Sequence, residues 1–241
     1  MKNIITLFML LFLVSKASAF NHLMVMGGAV TSEAGSPISI IGVSSAQSNS
    51  TDAFALTMPV GTTEGHQMIA IIADDQSTEP TWSCSGWAQM SSYWHTVGNG
   101  PGLVAFSKTA AAAESGPYDF DENGSGTYCA GVIITLSKTG GTWDLDQASN
   151  TSEIPNSQSS ITTGSVTCTD DSILIVVYAN EGGKTVNTAP DSVTVIGTET
   201  LSSLAIAGYY ELRNAGAITK TLVWSANDES ASMALVLDIV P

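Results

Sequence analysis

Short apolar runs return in the second half of this chain in the order they keep in the first, and no single motif restricts the fold as much as that recurrence. Met68-Ile69-Ala70-Ile71-Ile72-Ala73 comes back as Ile173-Leu174-Ile175-Val176-Val177-Tyr178. Val104 to Lys108 comes back as Ala207 to Glu211, and Ala130 to Leu136 as Met233 to Ile239. Ala105 and Ala130 stand 25 positions apart, and so do Gly208 and Met233. Two such units can be two small sandwiches in a row or two halves of one body. With about five strands per half, a lone sheet would leave one apolar face in water, and docking the halves covers it. One body over residues 36–241 is therefore expected, with quasi-repeated halves at about 53–138 and 160–240.

Between these runs, stretches rich in Val, Ile, Thr and Tyr are interrupted about every ten residues by Gly, Pro, Asn, Asp or Ser, the spacing of an antiparallel β-sandwich. In the first half, strands are expected at Ile38–Ser44, Phe54–Met58, Met68–Asp74, Ala88–Tyr93, Leu103–Lys108, Tyr118–Phe120 and Thr127–Ser137. In the second half they are expected at Ile173–Ala179, Val193–Thr198, Ser203–Leu212, Thr219–Trp224 and Ser232–Ile239. Only Thr109–Glu114, with four alanines, suggests a helical turn. Asn150–Thr163 is poor in apolar residues and reads as an exposed connector at the seam.

The N-terminus pairs Lys2 with an apolar stretch from Ile4 to Val14 and ends in Ala17-Ser18-Ala19, the pattern a signal peptidase accepts. Met1–Ala19 is read as a signal peptide, or else an N-terminal anchor, and residues 20–35 as a loose arm. Cleavage would remove Lys2 and Lys16, leaving 22 acidic against five basic residues, a formal charge of −17. Such a surface repels nucleic acid and anionic lipid, and no later stretch is apolar and long enough to span a bilayer. A secreted or cell-surface location is the expectation, with a virion surface as the alternative. Export permits disulfides, but Cys84, Cys129 and Cys168 are three, so at least one stays free. A Cys84–Cys168 bridge is one pairing to test, with Cys129 buried in its apolar strand as a small hydrophobe.

Taken in order, Met58-Pro59-Val60-Gly61-Thr62, then Glu64-Gly65-His66-Gln67 leading into an apolar strand, then Pro80-Thr81-Trp82, then Val104–Lys108 with its Thr109-Ala110 corner, and a closing strand through Ala130-Gly131-Val132, form a pattern. It resembles β-sandwich modules of tailed-phage virion proteins and large bacterial surface proteins. Gly65-His66 departs from the Gly-Asp turn of those modules. The resemblance covers roughly Phe54 to Ile239 and implies a jelly-roll or immunoglobulin-like sandwich serving as a structural or adhesive part, with no catalytic residues to carry over.

Three constellations invite chemistry. Asp119-Phe120-Asp121-Glu122-Asn123-Gly124 opens like a calcium loop, with Asp119, Asp121 and Asn123 as oxygen ligands. Ala130 stands where the closing Glu of such a loop belongs, and Asn123-Gly124 is equally a hairpin turn. Calcium is thus the one ion the sequence suggests, and no cofactor is required. Trp82, Trp87, Tyr93 and Trp94 cluster, and aromatic faces stack on sugar rings. Strand alternation, however, sets Trp87 and Tyr93 on one face and Trp94 on the other. Trp143-Asp144-Leu145-Asp146 puts two acids on one side of an extended segment, a spacing compatible with glycosidase chemistry. Nucleophile-elbow, phosphate-loop and zinc signatures are absent.

The expectation is an all-β antiparallel sandwich acting as a non-enzymatic surface or virion module. Its partners would be a glycan or cell-surface polymer, neighbouring virion subunits, or further copies of itself. A secreted carbohydrate-active enzyme is the alternative; two carboxylates converging in an aromatic-floored cleft would identify it.

Overall fold

In the computed structural model, the residues described are 37–48, 53–76, 80–94, 100–122, 128–153, 158–169 and 171–240. The expected signal segment and N-terminal arm lie outside them. The first half forms β1 (Ile38–Ser48), β2 (Ala53–Leu56), β3 (Gln67–Asp74), β4 (Trp82–Ser83), β5 (Ala88–Tyr93), β6 (Gly102–Thr109), β7 (Tyr118–Glu122) and β8 (Cys129–Lys138). The second forms β9 (Thr142–Glu153), β10 (Ser160–Thr162), β11 (Val166–Cys168), β12 (Ser172–Glu181), β13 (Val186–Thr188), β14 (Thr194–Thr200), β15 (Leu204–Arg213), β16 (Gly216–Ile218), β17 (Thr221–Trp224) and β18 (Ser230–Val240).

All pairings are antiparallel. A five-stranded sheet runs β1-β8-β3-β6-β5 and faces a three-stranded sheet, β2-β7-β4. This is the order of a double-sheet jelly roll with its fifth strand hung on the edge of the large sheet. In the second half, β9-β18-β12-β15-β14 forms the large sheet, β10-β17-β13 the small one, and β11-β16 an added pair. The two large sheets have the same order of connection.

The large sheets stack face to face, with β1 against β14 and β5 against β9. Ile69, Ile71, Val132 and Ile134 from one sheet share a core with Ile173, Ile175, Val177 and Leu235 from the other. On its outer side each large sheet buries a second core. Phe54, Phe106, Phe120 and Trp82 fill the first, and Tyr178, Tyr209, Leu222 and Trp224 the second. The molecule is therefore four layers deep, and its central strands have water on neither face. That explains why every residue of β3 and all but the last of β12 are buried, although antiparallel strands with one solvated face alternate.

Close approach of the large sheets requires small residues. A Cβ on Gly197 would lie 2.7 Å from the Ser45 Cβ, and one on Gly208 3.0 Å from a Val132 methyl. At the same rim Ser45 donates to a Glu199 carboxylate oxygen at 2.5 Å. At the other, the Asn150 amide donates to the Ser91 hydroxyl at 3.3 Å.

Several expectations are corrected. Thr109–Glu114 forms no helix: Thr109 ends β6, and the following turn puts Ala113 at φ 59°. Asn150–Thr163 is not a free connector, because β9 runs to Glu153 along β18, β10 lies within the segment, and Thr163 is buried. The link between the halves is instead Thr139-Gly140-Gly141, both glycines at positive φ. Cys84, Cys129 and Cys168 are all free. Cys84 packs on the outer core of the first half and Cys168 lies in that of the second, so the stacked large sheets separate the two thiols proposed to pair.

Candidate functional site

A cavity opens beside β4 and β5, lined by Pro80, Thr81, Trp82, Gln89, Ser92, Trp94 and Val104, with a volume of about 270 Å³. Local sequence builds it. Gly86, at φ 78°, turns the chain after β4, and the Trp87 N–H donates to the Cys84 carbonyl at 3.0 Å. The pairing of β5 with β6 slips between Gln89 and Ser91, a bulge that re-aims the strand. Trp94 lies flat on Gly102, where a Cβ would come within 2.1 Å of the indole, so that ring position demands glycine.

The four aromatic residues singled out in the sequence do not make one platform. Trp82 and Trp94 are 4% and 7% exposed and line the cavity. Trp87 packs edge-on against Tyr118, ring centroids 5.0 Å apart, and against Phe120 at 5.2 Å. Tyr93 lies against the core between the large sheets. Packing thus takes up Trp87 and Tyr93.

Asp119 and Asp121 stand exposed on β7, which is paired on both sides to β2 and β4 and so is extended rather than coiled around an ion. Asn123 lies outside the described residues. Asp144 is exposed on β9, opposite Asp238, whose carboxylate accepts from the Thr169 hydroxyl at 2.6 Å. The side chain of Asp146 lies outside the described residues.

The structure also assembles two clusters of titratable residues that sequence spacing did not reveal. Asp74, Glu122 and Cys129 come from three strands to the end of the first outer core, with their ligand atoms within 4.8 Å of one another. Gln76 donates its amide to Glu122. Burial, then the charges of Asp74 and Glu122, push the Cys129 thiol far up, so it keeps its proton and is poorly suited to hold a metal. Asp74 and Cys129 come together through strand pairing, and Glu122 comes from the other sheet; no local motif joins them. At the seam, burial lifts the Asp75 carboxyl to about 6. Burial first, then Asp75, Glu229 and Asp228, lift Glu181 to about 7.

No family model, no curated protein and no solved structure matches the chain. The fold and the cavity define an all-β layered sandwich with a small aromatic-lined recess; any narrower reading rests on chemistry.

Proposed function

We propose that this protein is a non-catalytic structural or adhesive module, carried outside the cell or on a virion, that meets a glycan or a neighbouring subunit. One observation supports this best: among the described residues, the lining of the recess that holds the aromatic rings has no carboxylate, whereas glycoside hydrolysis needs a facing pair. Asp74 and Glu122, whose carboxyls meet at the end of the first outer core, are 0% and 2% exposed, closed off from a polymeric substrate. The matching strand orders support reading the halves as two copies of one jelly roll. They favour a rigid part whose rims and loops meet partners.

The test incubates the whole chain with a panel of immobilised surface glycans and polymers, measuring retention and the release of reducing ends together, with light scattering on the unbound protein. Retention without release, or a defined oligomer, is expected. Release of reducing ends would overturn the reading in favour of the enzyme.

A further inference from the structure

We propose that Asp144 and Asp238, side by side on the outer face of the second large sheet, bind a divalent cation, calcium by the chemistry of the donors, whatever partner the module meets. Asp144 on β9 is the register partner of Asp238 on β18. Val236, two residues before Asp238, belongs to the second outer core, and Leu237 faces the shared one, which puts the two carboxylates on the outer face. Side chains paired in this way have Cβ atoms about 4.5–5.5 Å apart. An ion that bonds each carboxylate at about 2.3–2.6 Å needs oxygens no more than about 5 Å apart, a separation that such a pair supplies.

The second observation is the state of Asp238, which is 7% exposed. Thr169 donates its hydroxyl to Oδ2 at 2.6 Å and so fixes the carboxylate, while Oδ1 is buried and accepts no hydrogen bond. An ionised carboxylate withdrawn from water needs a counter-charge, and like charges directly opposite on paired strands repel. Among the described residues no basic side chain forms an ion pair with Asp238. The charges of Arg213 and Asp238 both reach the Cys168 thiol, but Arg213 and Lys220 bind Glu211, at 3.0 and 2.6 Å. Lys108 is held by Glu114, Lys184 by Asp228, and Lys138 donates to the Gly140 carbonyl. The nearby chain residues whose side chains lie outside the described ones, Asp146, Gln147 and Asp170, bring no positive charge. A cation between the two carboxylates answers both the orphaned oxygen and the repulsion. Asp144 is exposed and β9 is an edge strand, so an ion reaches the pair from the open side of the sheet. Hard oxygen donors completed by water suit calcium, whose coordination shell is flexible. Bound there, the ion ties the edge strand β9 to β18 and, through Thr169, to the corner after β11.

The experiment titrates calcium chloride into the chelator-treated full chain by calorimetry at neutral pH and follows backbone amide signals by NMR. One calcium per chain is expected, with a dissociation constant of about 10⁻⁴–10⁻³ M, the range of extracellular modules. Saturable shifts are expected at Asp144 and Asp238, with a rise in melting temperature. Because Asp144 is exposed, Asp144→Asn should keep the fold, checked by circular dichroism, and weaken binding about tenfold or more, since ligand charge sets affinity. Asp238→Asn should abolish the response of the melting temperature to calcium. Asp119→Asn combined with Asp121→Asn should bind calcium as the parent does. Absence of calcium binding, shifts confined to other residues, or parental affinity in Asp144→Asn overturns the inference. Many weak sites erased by salt at about 0.15 M overturn it as well, since that is the behaviour of a screened acidic surface.

Discussion

The central strand of each large sheet ends in different chemistry on the same framework. In the first half Asp74 pairs with Gly102 on one side and Cys129 on the other. In the second Asn180 pairs with Ala205 and Ser230. Asn180 is fully buried and well supplied: its amide donates to the Ser230 hydroxyl at 2.9 Å and the Glu229 carbonyl at 3.2 Å, while its oxygen accepts from the Lys184 N–H at 3.3 Å. Asp74 is equally buried but lies among ionisable groups, Glu122 and Cys129. Antiparallel pairing fixes where the side chains meet and leaves their chemistry open. The second half uses that freedom for a neutral, locked pair. The first half combines a buried acidic end with the glycine that accommodates Trp94.

The comparison can be broken most forcefully at the shared core. Ile71→Ala and Val177→Ala remove apolar groups from opposite sides of the same interface, and each should cost roughly 2–5 kcal/mol in a denaturant titration. Both variants should unfold in one transition; two separated transitions would mean that the halves are stable without each other.

Next in size is an exchange of the strand-end chemistry. Asn180→Asp removes both amide donors and buries a charge beside the Glu229 carbonyl, a loss of about 2–4 kcal/mol in thermal or chemical unfolding. Asp74→Asn, which gives the first half the second half's residue, should cost less than half of that. An equal cost would show that the two ends are energetically alike despite their different residues.

A smaller effect follows from pH. The residues just after these strand ends, Asp75 and the strand-terminal Glu181, hold protons in the folded protein that the unfolded chain releases near pH 4. Their contribution is full below that pH and is lost as pH rises through about 6 and 7. Both groups are only partly buried, so solvent screening reduces the total to about 1–2 kcal/mol. Asp75→Asn combined with Glu181→Gln should lose less stability than the parent between pH 5 and pH 8, measured by melting temperature. An unchanged slope would remove the seam carboxyls from the account. The smallest effect is expected at Lys184, whose ammonium lies 3.2 Å from Asp228 beside this cluster. Lys184→Ala should cost about 0.2–1 kcal/mol, a cost that disappears in high salt.

Strand positions were largely readable from sequence, because Val, Ile and Tyr runs between turn residues mark strands whatever they pack against. Phase was not readable. Aligning Met68–Ala73 with Ile173–Tyr178 matches Ile69 to Leu174, yet Ile69 faces the shared core and Leu174 the outer one. A one-residue slip exchanges faces, and strands buried on both sides lack the alternation that would expose the slip. The equal spacing of 25 also fails at the level of pairing: Ile71 pairs with Ala105 and Val132, 27 positions apart, and Val177 with Gly208 and Met233, 25 apart. The missed strands are β4, β9, β10, β11, β13 and β16. Five are two or three residues long and β9 is polar, so tertiary pairing, not local preference, makes them. The recess was half legible: the tryptophans stood out, but which of them turn toward it depends on Gly102 and the β5 bulge, which act through space.

The three-residue link between β8 and β9 has a consequence for assembly. A tether so short holds the two large sheets at a very high effective concentration, so each meets the other within its own chain before it can meet a second molecule. Deleting Gly140 and Gly141 would leave the tether too short to fold the chain back and would drive the halves to pair between chains as swapped dimers. The turn thus acts as a guard against promiscuous self-association, a task that on a single-layer sheet would fall to charged edge strands.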